Sequence, residues 1–148
     1  LASPIVVTHI SYSLYASSIK VQTLASELLA AICFLSVNEG HKAVLAAMSD
    51  FRIAFDESFR FETLIATLRL PELASDTESD GESSYGYERE GIWEARTSAM
   101  TLINAITNCP ELLEERILLR EELGRRGLNE IIVVGAPLPL LSLSPGEC

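Results

Sequence analysis

Three observations predict an all-α fold for this 148-residue chain. Apolar residues recur at helical rather than alternating spacing along successive segments. Pro71, Pro110 and Gly127 fall where those segments end. No strand-like alternation competes before the last segment, and 48% of the residues are hydrophobic against 22% charged, enough for a core at this length.

Val21, Leu24, Leu28, Ala31 with Ile32, and Leu35 lie at i, i+3, i+7, i+10/i+11 and i+14. That spacing predicts a helix over residues 20–36 with this stripe as its buried face. From Leu28 onward the helix is apolar nearly all round, which makes it central. A shorter helix is expected over 39–48, with Val44, Leu45 and Met48 inward, Asn38 as N-cap and His41 on its surface first turn. Phe61, Leu64, Ile65 and Leu68 predict a third, capped by Asp56 or Ser58 and stopped by Pro71. Ile92, Ala95, Ala99, Leu102 and Ile106 define a long helix over 91–108, ended by Pro110. In the last helix Asn108 is the expected cap, with Pro110 early and Glu111 three residues on. Its Glu121–Arg125 and Glu122–Arg126 pairs each contribute about 0.2–0.5 kcal/mol. Gly127 is the expected C′ residue.

An internal similarity links the two long helices. A shift of 71 positions lays Val21 on Ile92, Leu24 on Ala95, Leu28 on Ala99, Ile32 on Ile103 and Leu35 on Ile106. Setting aside the twenty residues 71–90 leaves an interval of 51, not far above the ~40–47 residues of armadillo-type repeats. An α-solenoid and a non-repetitive helical bundle both fit this spacing.

Charge and composition remove several function classes. The net charge of −10 argues against a nucleic-acid backbone or an anionic membrane as partner. Three widely spaced cysteines (Cys33, Cys109, Cys148) suit a reduced cytosolic protein, with Cys33 and Cys109 on or beside apolar helix faces. No stretch approaches the ~18 apolar residues of a membrane span. The chain opens at Leu1 without a basic n-region, so its first residues are not expected to be a signal peptide, and it reads as part of something longer. His9 and His41 have no cysteine or acid at metal-ligand spacing. G-x-S-x-G, H-E-x-x-H and C-x-x-C are absent, and Tyr87 replaces the lysine a phosphate loop needs after Gly81 and Gly86. An interaction module without catalysis, metal or cofactor is the expectation.

Residues 71–90 carry −6 of the net −10 and are expected to be an unstructured insert. Asp76, Glu78, Asp80 and Gly81 match half of a calcium loop, but its twelfth position is Tyr87, which lacks the required carboxylate. Ser75, Thr77 and Ser79 each precede an acid by three residues and are candidate sites for acid-directed phosphorylation. A plain solvated loop is the simpler reading.

Longer runs resemble a known family. Ala25-Ser26-Glu27-Leu28-Leu29-Ala30-Ala31-Ile32-Cys33, then His41-Lys42-Ala43-Val44-Leu45-Ala46-Ala47-Met48, resemble the formin homology three region of diaphanous-related formins. So do Arg60-Phe61-Glu62-Thr63-Leu64-Ile65, Ala99-Met100-Thr101-Leu102-Ile103-Asn104-Ala105-Ile106, and Arg116 with Arg120, Glu122-Leu123 and Gly127-Leu128. The resemblance covers residues 20–132. The stretches 1–19 and 133–148 do not match, and the acidic loop reads as a fungal elaboration.

The resemblance implies an armadillo array that represses a formin by binding a C-terminal amphipathic helix of the same polypeptide. A Rho-type GTPase, engaged through flanking sequence, then releases actin assembly at the cytoskeleton. The third helix of each repeat lines the groove. Here its expected walls are Ala25, Leu29, Ile32, Cys33 and Ser36 on one helix and Arg96, Met100, Ile103, Asn104 and Thr107 on the other. A generic helical scaffold for another amphipathic peptide is the alternative, as is simple packing of these residues against a neighbouring repeat. On the groove reading, Ile103→Asp or Met100→Asp releases the partner helix and leaves the fold intact.

Overall fold

The computed structural model describes residues 3–36, 38–69 and 84–133, and every regular element there is helical. In chain order these are Pro4–Tyr12 (α1), a 3-10 turn Ser13–Tyr15, Ile19–Leu35 (α2), Glu39–Ala54 (α3), Glu62–Leu68 (α4), Ser84–Asn108 (α5), Leu113–Arg125 (α6) and Leu128–Val133 (α7). The most extensive contact joins α2 to α5; α1 and α2 pack on α3, while α4 and α6 pack on α5. Ile19 at the start of α2 lies against Gly91 early in α5. Cys33 near the end of α2 lies close enough to Cys109, just past α5, that the two would repel as thiolates. The two long helices therefore run side by side and parallel. The core between the layers holds Leu29, Met48, Phe51, Phe61, Met100, Leu102, Ile103 and Ile106, all essentially without exposure.

The N-terminal residues belong to this body: Val7 and Leu14 lie in the core, and Ser11 is fully buried. Ser18 caps α2, its hydroxyl accepting from the Val21 amide at 3.4 Å. The turn into α3 is tight. A Cβ on Gly40 would stand 2.2 Å from the Ile32 carbonyl oxygen, so only glycine allows this approach of α3 to α2. The Gly40 and His41 amides both donate to the Ser36 carbonyl, at 2.9 and 3.2 Å. Asn38 occupies the N-cap position without a side-chain bond.

His41 corrects the expectation of a surface side chain: it is 4% exposed, with Nε2 2.7 Å from the Ile106 carbonyl oxygen. In a continuing helix that carbonyl would accept from residue 110, but Pro110 has no N–H. The imidazole N–H fills the vacancy, so a helix-ending proline creates the need for a buried histidine on another helix.

The cap of α4 also differs. Neither Asp56 nor Ser58 supplies it; the Glu57 carboxylate accepts from the Thr63 amide at 2.6 Å, while Glu62 accepts from the Ser58 amide at 2.7 Å. Two non-glycine residues of this loop take left-handed backbone conformations, Asp56 (φ 53°) and Phe61 (φ 73°). The strain at Phe61 persists because its ring is fully buried and Arg60 is clamped. Arg60 Nε and Nη2 donate to Glu122 on α6 at 3.0 and 2.6 Å. Asn108 does not cap α6. Its Oδ1 accepts from Arg120 at 2.5 Å and its Nδ2 donates to the Asn104 carbonyl at 2.9 Å. Gly127 takes the expected C′ conformation, φ 98°.

Residues 84–90, expected within the unstructured insert, form the first turns of α5. Ser75, Thr77, Ser79 and most of the half-matched calcium loop lie outside the described residues.

The larger correction concerns which face of α2 is inside. Val21, Leu24, Leu28 and Leu35, the stripe expected in the core, are 41, 51, 52 and 86% exposed. Ala25, Leu29, Ala30 and Cys33 take the interior instead. A helix apolar nearly all round gives no periodic signal to choose between faces. The same error shows in the internal repeat. An offset of 70 rather than 71 pairs Ala25 with Ala95, Leu29 with Ala99, Ala30 with Met100 and Cys33 with Ile103, all buried. One residue of offset is about 100° around a helix, enough to exchange inside for outside.

Met100→Asp or Ile103→Asp therefore places a carboxylate in a 1–2% exposed site. Each is expected to cost at least about 3 kcal/mol, roughly 10 °C in the thermal midpoint, rather than leave the fold intact. Gly40→Ala is expected to cost about 1–3 kcal/mol, read by the same thermal melt, because the obstructing atom is backbone.

Candidate helix-docking surface

With α3, α4 and α6 packed beneath and beside them, α2 and α5 each keep one uncovered face. On α2 this face carries Lys20, Leu24, Glu27, Ala31 and Phe34, the last 59% exposed. On α5 it carries Glu90, Trp93, Glu94, Thr97, Thr101, Asn104 and Asn108, with Trp93 45% exposed. The offset of 70 makes Glu27 the repeat equivalent of Thr97, Ala31 that of Thr101 and Phe34 that of Asn104.

The two walls differ chemically. The α2 wall is apolar in its second half, through Ala31 and Phe34. The α5 wall presents hydroxyls and carboxamides. Thr101 Oγ1 donates back to the Thr97 carbonyl at 2.9 Å, which engages its hydroxyl proton within the helix. The half-buried Asn104 carboxamide has no hydrogen-bond partner among the described residues, so its donors and acceptor are free for a ligand. At the end of α5, the Asn108–Arg120 bond brings a guanidinium from α6 to the mouth of the trough. An amphipathic helix could bury one face on Phe34 and hydrogen-bond to Asn104.

Most residues expected to line the groove are not on this face. Leu29, Cys33, Met100, Ile103 and Thr107 are buried, at the α2–α5 contact or beneath it. Ala25 is buried with them. Ile32 is half-buried, packed on the core beside Gly40. The backbone carbonyl of half-buried Ser36 accepts the two amides of the α3 turn. Arg96 is half-buried; of the expected set, Asn104 alone stands on the uncovered trough. Sequence reading missed Phe34, Trp93, Thr97 and Thr101. The available signal was the run of small residues Gly91, Ser98 and Ala105 at heptad spacing, which marks the side of α5 that α2 approaches.

Comparison with known proteins decides the family. Residues 41–134, more than half of the chain, match the family model described as Diaphanous FH3 Domain. The chain belongs to that family. Formin-F of Dictyostelium discoideum is 34% identical to it over 113 residues, covering 76% of this chain and 8% of Formin-F. Disheveled-associated activator of morphogenesis 2 of Gallus gallus is 33% identical over 135 residues, 89% of this chain and 11% of the relative. Human Formin-like protein 3 is 27% identical over 132 residues. The FH3 domain thus spans about a tenth of the length of these relatives. They come from an amoeba and from vertebrates, so the expectation of a specifically fungal protein is not supported.

This FH3 domain is an all-α, helical-repeat regulatory and scaffolding module of the formin type, and the family is non-catalytic. Among the described residues, no group of three or more His, Cys, Asp or Glu could hold a metal ion. No helix there is long and apolar enough to cross a membrane.

Cys33 is fully buried on α2, and burial, reinforced by Cys109, pushes its thiol up to about 12 from 9.0. Burial raises Cys109 as well. The unfolded chain loses the Cys33 proton above pH 9 while the folded chain keeps it. The sign is therefore a stability that falls as pH rises from about 9 toward 12. Denaturant melts across that window are expected to show the decline, and Cys33→Ala to flatten it.

Proposed function

We propose that this FH3 domain represses a formin by holding an amphipathic C-terminal helix of the same polypeptide in the α2/α5 trough. Release by a Rho-type GTPase, engaged through flanking sequence, then permits actin assembly at the cytoskeleton. The observation that carries the reading is the pair of uncovered faces on adjacent parallel helices. One is apolar at Ala31 and Phe34; the other holds the unbonded Asn104 carboxamide. The family match supports a regulatory role. Two of the relatives' own names, Disheveled-associated activator of morphogenesis 1 and 2, describe activators of morphogenesis.

The arrangement suits a helix better than an extended peptide. The long α-helical walls offer no sheet edge for backbone pairing, so affinity has to come from side-chain burial along four turns. Phe34 supplies the apolar area and Asn104 the directional bond that fixes register.

Calorimetric titration of the chain with a synthetic peptide of the polypeptide's C-terminal amphipathic helix tests this. Phe34→Glu and Asn104→Lys are each expected to weaken binding at least tenfold, about 1.4 kcal/mol, with helicity and thermal midpoint retained. Wild-type affinity in both folded variants overturns the assignment. Equal affinity for an unrelated amphipathic helix makes the domain a generic scaffold instead.

A further inference from the structure

The angle between α6 and α7 holds an open cavity of about 630 Å³, apart from the α2/α5 trough. Ile117, Arg120, Glu121 and Gly124 fall at i, i+3, i+4 and i+7 on one face of α6, and Arg125 and Asn129 complete the lining. Gly124 permits the close approach of α7. A Cβ there would stand 2.9 Å from Asn129 Nδ2, so that carboxamide lies directly over the α6 backbone.

The polar groups of this cavity are only partly used. Arg120 donates through Nη2 to Asn108 and Arg125 through Nε to the Glu121 carbonyl, at 2.5 and 3.3 Å. Their other guanidinium donors have no partner among the described residues, and neither has the Asn129 carboxamide. Nearby charges are already committed: Glu122 to Arg60, and Arg126 to the face of Phe59, 4.8 Å from its ring centre. Two arginines against one glutamate leave the lining at a formal +1, in a chain of net −10.

That charge selects the ligand. A monoanion balances the lining, whereas a phosphate, carrying about −1.5 to −2, meets Glu121 as a like charge. A carboxylate matches the planar pair of donors, Nη1 and Nη2, that Arg125 keeps free. Ile117, 43% exposed, and the arginine methylenes offer an apolar rest for a residue beside that carboxylate. We infer that the α6–α7 cavity is a subsite for an acidic peptide of a separate protein. One Asp or Glu carboxylate is held by Arg125 and Arg120 and oriented by Asn129, with a flanking apolar side chain on Ile117. The inference does not rest on the trough reading, since α2 and α5 contribute nothing to the lining.

Proton–nitrogen correlation spectra of the 148-residue chain test this, with Arg125 Nε–H and the Asn129 side-chain amide as reporters. The probes are leucyl-glutamyl-leucine and its glutaminyl analogue, both capped at each end so that the glutamyl side chain is the one carboxylate. The glutamyl peptide is expected to shift both reporters and to bind about three- to fivefold tighter than the analogue, as an exposed charge pair allows. Added salt is expected to erase the preference. Arg125→Gln and Asn129→Asp are each expected to erase it too, at an unchanged thermal midpoint, each variant read through the other reporter. Equal binding of the two peptides to the wild-type chain overturns the proposal, whether or not a variant folds. A preference that survives in both folded variants overturns it, as does a tighter response to inorganic phosphate. Reporter shifts on concentrating the chain without peptide assign the cavity to a second copy, which overturns it as well.

Discussion

The close parallel contact between α2 and α5 is the constraint on which the rest of the structure depends. It is made possible by small side chains. Gly91, Ser98 and Ala105 on α5 receive α2, whose interior arc includes Ala25, Ser26, Ala30 and Cys33. Bulky residues excluded from this contact must go elsewhere. On α5 they turn down into the layer below, as Leu102, Ile103 and Ile106 do; on α2 they turn out, as Val21, Leu28 and Leu35 do. The trough and the exposed Val21, Leu28 and Leu35 of α2 are both consequences of that division.

The ends of the pair are held by polar interactions that compensate for one another's defects. Pro110 terminates α5 and deprives the Ile106 carbonyl of its helical donor; His41 supplies one from α3. His41 can reach only because Gly40 lets α3 start against the last turn of α2. The three helices are thus coupled through one glycine, one histidine and one proline, spread over seventy residues of sequence. At the other side, the Arg60–Glu122 pair joins the strained α3–α4 loop to α6, with both side chains about a quarter exposed. Such a pair contributes at most about 1 kcal/mol in energy, but its bidentate geometry orients Phe61 and the loop behind it.

A scaffold of this kind has a functional implication independent of which partner it serves. Rigid helices with buried, fully packed mutual contacts hold surface side chains at set distances.

Element type was legible because helical periodicity survives wherever a helix has one wet face, as α4 and the buried stripe of α5 do. The end of α5 just before Pro110 was legible for the same local reason, since proline acts on its own segment. The caps were less so. Glu57, Asn108 and His41 all took partners that no local rule would name, because a long side chain can satisfy a backbone group across a loop or from another helix. The candidate site was the least legible part. On α2 nearly every position is apolar, so its sequence carries helicity but not orientation, and Leu29 and Leu28 are chemically equivalent until a neighbour chooses between them. The chain by itself thus determined that it forms parallel-capable helices with a repeat near seventy residues. Only the tertiary structure decided which side of each was buried, because that choice rests on how closely α5 lets α2 approach.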